Sequence, residues 1–133
     1  MGETIHLAYG RDGRDFEMPA HAELTVLRKS EVDVSGAPER RVLDALASPI
    51  GAARIRDEAQ GARSACIVIC DITRPVPNHL LLRPIVDELL AAGVPRSGIS
   101  ILVATGLHRP NEGVELDELI GDPWVSEHIR IEN

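Results

Sequence analysis

Ala65-Cys66-Ile67-Val68-Ile69-Cys70-Asp71-Ile72-Thr73-Arg74-Pro75-Val76-Pro77-Asn78 opens the stretch that decides the fold, and Ile99-Ser100-Ile101-Leu102-Val103-Ala104-Thr105-Gly106-Leu107-His108-Arg109-Pro110 closes it. Each half begins with an apolar run and breaks into a polar turn. Runs that are apolar on both faces are the mark of strands buried inside a parallel sheet. Between them, Leu81, Leu82, Ile85, Val86, Leu89 and Leu90 recur at helical spacing. Asn78 stands where a helix cap is expected and Gly93 where a left-handed stop is expected. The unit reads as strand, helix, strand with short links, so a right-handed parallel crossover is expected.

The flanks add smaller elements. Upstream, Ile5 to Tyr9 and Phe16 to Met18 bracket Asp12-Gly13 and predict a small N-terminal β-hairpin region. Leu24-Thr25-Val26-Leu27 is a further strand candidate, and residues 30–36 read as a polar connection. Pro38 and Glu39 suit the first turn of a helix carrying Val42, Leu43, Ala45 and Leu46, which Ser48-Pro49 ends. Arg54 to Gln60 predicts a short helix. Downstream, Glu112 to Ile120 predicts a helix stopped by Gly121, Asp122-Pro123 a turn, and His128 to Ile131 a last strand. The expected fold class is α/β, a parallel-sheet (Rossmann-like) core with one strand–helix–strand crossover. Residues 1–133 are expected to form a single α/β domain.

Composition narrows the function. A chain of 133 residues with a net charge of −7 lacks the basic balance of a nucleic-acid binder. Aromatic residues make up 2%, too few for stacking platforms on single strands. No apolar run approaches the ~18 residues of a membrane span, and no basic-then-apolar leader opens the chain. The expectation is a cytoplasmic protein without nucleic-acid or membrane partners. Cys66 and Cys70 sit on one face of one strand, too far apart to bridge readily, and are expected as small buried residues.

The chemistry gathers in the two turns. In parallel sheets, ligands bind where the loops meet at the carboxyl ends of the strands. Asp71 directly follows one run and Thr105 the next. Neighbouring strands would bring those ends to about 5 Å. Arg74 offers a planar fork for a carboxylate or phosphate, or it pairs with Asp71 to hold the loop. Thr73 either donates to an anion or ties the turn. His108 is the obvious proton carrier, with Gly106 letting the backbone turn tightly beside it; a plain surface histidine is the alternative. Asn78 is a cap or part of an anion site at a helix start. His6, His21, His79 and His128 have no metal-ligand spacing and read as structural or solvent-facing.

Cys70 to Asn78 resembles the Asp-x-Thr-Arg-Pro-x-Pro motif of the nickel-pincer-dependent lactate racemase family, and Thr105 to Pro110 resembles that family's Gly-x-His-Arg motif. Leu7-Ala8-Tyr9-Gly10 and Pro49-Ile50-Gly51 are similar to its N-terminal half. The resemblance implies an isomerase, a racemase or epimerase of small 2-hydroxy acids. It implies hydride abstraction and return on a nickel-pincer (pyridinium bisthiocarboxylate) nucleotide. Carried over by motif, His108 is an acid–base residue, Arg74 holds the substrate carboxylate, and Asp71, Ile72, Thr73 and Arg74 contact the cofactor. The covalent lysine, the nickel ligand and a second histidine are implied to lie in a C-terminal domain, so no metal ligand is expected in this chain. The expectation is the N-terminal half of a longer two-domain enzyme, inactive and without cofactor on its own. A non-catalytic module binding a small anion or a partner chain is the alternative.

Overall fold

The computed structural model describes residues 3–30, 32 and 36–133. The chain divides into two units, Met1–Val34 and Ser35–Asn133. In the first, β1 (Thr4–Leu7) and β2 (Arg14–Glu17) pair as an antiparallel hairpin, with Thr4 opposite Glu17 and Leu7 opposite Arg14. Gly13 lies in the connection at φ +70°, and a side chain there would strike the His6 ring. The strand expected at 24–27 does not form, and Leu27 is 91% exposed. Its β propensity meets no partner ladder, and isolated extended segments are not stable alone. Most of the polar connection expected over 30–36 lies outside the described residues.

In the second unit, α1 (Pro38–Ala47) starts as expected with Pro38 in its first turn, and α2 (Ile55–Glu58) is a short helix. β3 (Ala65–Cys70), α3 (Asn78–Ala91) and β4 (Ile99–Ala104) form the strand–helix–strand unit. α4 (Val114–Ile120) ends at Gly121 in the left-handed conformation. The Asp122-Pro123 turn proves to start a further helix, α5 (Pro123–His128), where the Asp122 side chain caps the Val125 N–H. β5 (Arg130–Glu132) completes a sheet ordered β3-β4-β5, parallel throughout. This is the α/β fold with a parallel core that the two apolar runs implied.

The core forms where α3 meets one face of the sheet. Leu82, Val86 and Leu89 of α3 pack with Ile69, Ile99, Ile101 and Val103 of the strands and with Leu119, Ile120, Val125 and Ile129 beyond. Each such fully buried side chain contributes on the order of 1.5–3 kcal/mol. Glu88, on the same helix, accepts from Arg56 at 2.5 Å and 3.0 Å and from Arg54 at 3.2 Å, tying α2 to α3.

Two expectations fail here. β3 and β4 are covered on one face only: Val68 is 62% and Leu102 40% exposed, and Cys66 and Cys70 are exposed free thiols rather than buried residues. The helical side takes Ile67, Ile69, Ile101 and Val103, and strand alternation turns the others away. Asn78 is no cap. It lies within the first turn of α3, 3% exposed, and donates from Nδ2 to the Leu119 carbonyl at 3.0 Å. It joins α3 to α4. Gly121 makes this approach possible, because a side chain there would meet the His79 Cβ.

Candidate active site

The sheet register sets the site. Cys70 pairs with Ala104, so the residues that follow them, Asp71 and Thr105, leave neighbouring strands side by side. After β3 the chain turns at once: the Arg74 N–H donates to the Asp71 carbonyl at 3.1 Å. After β4 it turns again: the His108 N–H donates to the Thr105 carbonyl at 3.0 Å, with Gly106 at φ +59° inside the turn. Positive φ at that position is what glycine supplies without strain.

The two turns meet at Asp71 and His108. Asp71 is buried, 4% exposed. Its Oδ1 accepts from the Thr73 hydroxyl at 2.6 Å and from the Thr73 N–H at 3.2 Å, while Oδ2 pairs with Nδ1 of His108. The Thr73 hydroxyl, then the His108 contact, hold the Asp71 carboxyl below the usual aspartate range, and burial only partly offsets them. An ionised carboxylate only accepts, so Nδ1 of His108 carries the hydrogen and donates. The other ring nitrogen, Nε2, is thereby left as the basic one, on an imidazole whose side chain is 57% exposed.

Around the pair the surface is concave on two sides. One cavity of about 280 Å³ is lined by Thr73, Arg109, Asn111 and Glu115 with the pair in its wall. Another, of about 380 Å³, is lined by Arg74, Ala104, Gly106 and Leu107, again with Asp71 and His108. The Arg74 side chain borders this second cleft and is exposed. Among the described residues its guanidinium has no acidic partner. The alternative in which Arg74 merely pairs with Asp71 therefore does not hold, since Thr73 and His108 occupy that carboxylate. Ile72 packs its side chain against the core.

Arg109 behaves differently from Arg74. It is spent on Glu115, which accepts its two guanidinium nitrogens at 2.6 Å and 2.9 Å. Together with an Asn111 donor this pushes the Glu115 carboxyl down to about 2. Asn111 and Glu115 were not singled out by the sequence. Asn111 sits 39 positions from the Ile72 N–H that it accepts, and no local pattern announces such a pairing.

A larger hollow, about 470 Å³, lies by Gly121 and is lined by Asp117, Asp122 and Glu127. Those carboxylates would repel an anionic ligand, so the polar chemistry of the two turns marks the better site. Among the described residues no three His, Cys, Asp or Glu side chains gather so as to hold a metal ion, and no helix is long and apolar enough to cross a membrane.

A family model described as the lactate racemase N-terminal domain matches residues 9–133. Lactate racemase of Thermoanaerobacterium thermosaccharolyticum is 32% identical over 124 residues, covering 92% of this chain and 29% of that protein. Lactate racemase of Lactiplantibacillus plantarum is 38% identical over 88 residues, covering 66% of this chain and 20% of that protein. The apoprotein structure of the Thermoanaerobacterium enzyme superposes with a TM-score of 0.70 at 30% identity, over 98% of this chain and 30% of that one. The chain thus spans less than a third of the length of these relatives.

Proposed function

The chain belongs to the lactate racemase N-terminal domain family, and from that premise we propose that it supplies the acid–base and carboxylate-binding half of a 2-hydroxy-acid racemase or epimerase. The observation that carries this reading is the buried Asp71 carboxylate on Nδ1 of His108, beside the guanidinium of Arg74, which has no acidic partner among the described residues. An anion clamp and an oriented proton carrier in one cleft are what a 2-hydroxy acid requires.

Each residue has one task. Arg74 binds the substrate carboxylate through its planar fork. Nε2 of His108 takes the substrate hydroxyl proton and later returns it. Asp71 holds the imidazole in the tautomer that leaves Nε2 basic, and it stabilises the imidazolium that forms. Thr73 fixes Asp71. When bound, a nickel-pincer nucleotide supplies the acceptor and donor of the α-hydride. The 71–74 turn would border that cofactor. The two clefts are lined by Asp71, Thr73, Arg74, His108 and Arg109 and by no lysine, so their residues fit the substrate side of the cofactor and not its covalent anchor. Inversion also needs a proton carrier on the opposite face of the substrate, and neither turn contains a second histidine.

The domain accordingly works as the N-terminal part of a longer two-domain enzyme, in which further polypeptide provides those groups. The test is chiral chromatography of L-lactate and other 2-hydroxy acids incubated with the cofactor-loaded two-domain enzyme. Interconversion of stereoisomers is expected. Failure with every 2-hydroxy acid, in protein shown to carry cofactor, would overturn the reading.

A further inference from the structure

The acid–base pair spans two turns, and its geometry depends on what holds those turns together. The β3–β4 pairing ends at Cys70 and Ala104. Beyond it, among the described residues, two hydrogen bonds join the 71–74 turn to the 105–111 segment. One is the His108–Asp71 contact itself, and the other runs from the Ile72 N–H to Oδ1 of Asn111 at 3.4 Å.

Asn111 is built to hold that position. It is 3% exposed. Its Nδ2 donates to Oε2 of Glu115 at 3.0 Å, and Glu115 is clamped by Arg109, the residue next to His108. Its backbone N–H donates to Oδ1 of Asn133 at 3.1 Å, and its carbonyl accepts from Nδ2 of the same side chain. One amide therefore grips the Asp71 turn with its oxygen and α4 with its nitrogen, while its own backbone stands three residues from His108.

We propose that Asn111 is a positioning residue for the acid–base pair: it sets the separation of the two turns and so keeps His108 in the tautomer whose Nδ1–H meets Asp71. This rests on the reading of Asp71 and His108 as that pair. Asp71 is buried and anchored by Thr73, whereas the His108 ring is more than half exposed and has little packing to fix it. The pair keeps its geometry only while the His108 turn stays in place.

The experiment is ¹⁵N NMR of the His108 imidazole in this chain, at a pH where the ring is neutral, for wild type, Asn111→Ala and Asp71→Asn. Asn111→Ala changes no charge, so Asp71, Arg74, Arg109 and Glu115 still surround the ring with their charges intact. Any change in its tautomer then comes from position. Asn111→Ala is expected to lower the ratio of the Nδ1–H to the Nε2–H tautomer about 2- to 10-fold, the range one lost hydrogen bond supports. Asp71→Asn is expected to lower it at least as far. Asn111→Ser, whose hydroxyl is too short to reach both partners, gives the same reading if the alanine variant does not fold. An unchanged ratio in the Asn111 variant with a lowered ratio in Asp71→Asn would overturn the positioning role alone. An unchanged ratio in Asp71→Asn would overturn the acid–base pair and this proposal with it.

Discussion

Nδ1 of His108 and Oδ2 of Asp71 meet across the carboxyl ends of two adjacent parallel strands, 37 residues apart in sequence. The buried carboxylate orients an exposed imidazole, and the rest of the site follows from that direction. On the proposed reading Nε2 is the base, and His108 lines the cleft that Arg74 borders.

Replacing Asp71 with Asn keeps its size and removes its charge. The imidazole loses the partner that fixes its tautomer and stabilises its protonated form. In the cofactor-loaded two-domain enzyme, kcat for stereoisomer interconversion is expected to fall about 10²-fold or more, within the range of general acid–base contributions. KM is expected to move little. Steady-state kinetics on the variant checks both.

Replacing Arg74 removes the proposed anion clamp instead. Loss of a charge-assisted, two-pronged bond to a carboxylate costs about 1.5–3 kcal/mol, which is about 10- to 150-fold in substrate affinity. The expected signature of Arg74→Ala is a raised KM. Arg74→Lys restores charge but not the fork, and it is expected to recover only part of the loss. Substrate titrations of the two variants measure this.

Glu115 makes acid stability a readout of the loop network. Its folded-state carboxyl is pushed down to about 2 by the Arg109 and Asn111 hydrogen bonds, from an ordinary glutamate value of 4.5. A lowered carboxyl contributes stability that is present above the unfolded value and lost as pH falls through the folded one. That contribution should therefore disappear between about pH 4.5 and 2. Asp71, lowered for its own reasons, titrates in the same acid direction. Denaturant melts from pH 7 to 2 should show a shallower acid loss in Glu115→Gln than in wild type, with Asp71 and Glu88 contributing to what remains.

The place of the site was legible because both polar turns directly follow apolar runs. Asp71 and Thr105 both stand where an apolar strand gives way to a turn, and parallel pairing of adjacent strands does the rest. The parallel core was legible for the same reason. Other features depend on contacts between distant residues. Asn78 looked like a cap, yet α4 draws its side chain inward to the Leu119 carbonyl. Val68, Cys66 and Cys70 looked buried because their strand is apolar throughout, but alternation alone does not say whether a second layer covers that face. The pairing of Arg109 with Glu115, six residues on, was not read from the sequence either; it is what occupies that guanidinium.

Glu88 tests the scaffold apart from the chemistry. Its side chain is 11% exposed and accepts from Arg54 and Arg56, which hold its carboxyl below the usual glutamate range. Glu88→Gln is expected to cost about 1–3 kcal/mol in chemical denaturation, the scale of hydrogen bonds to a charged group, while the His108 tautomer stays as in wild type.

The proposed function rests above all on His108 as the proton carrier. Its most direct test is the rate of L- to D-lactate interconversion by the cofactor-loaded two-domain enzyme bearing His108→Asn, with cofactor content matched to wild type. A fall of about 10²-fold or more is predicted, with substrate still bound through Arg74. Interconversion at the wild-type rate would contradict the assignment.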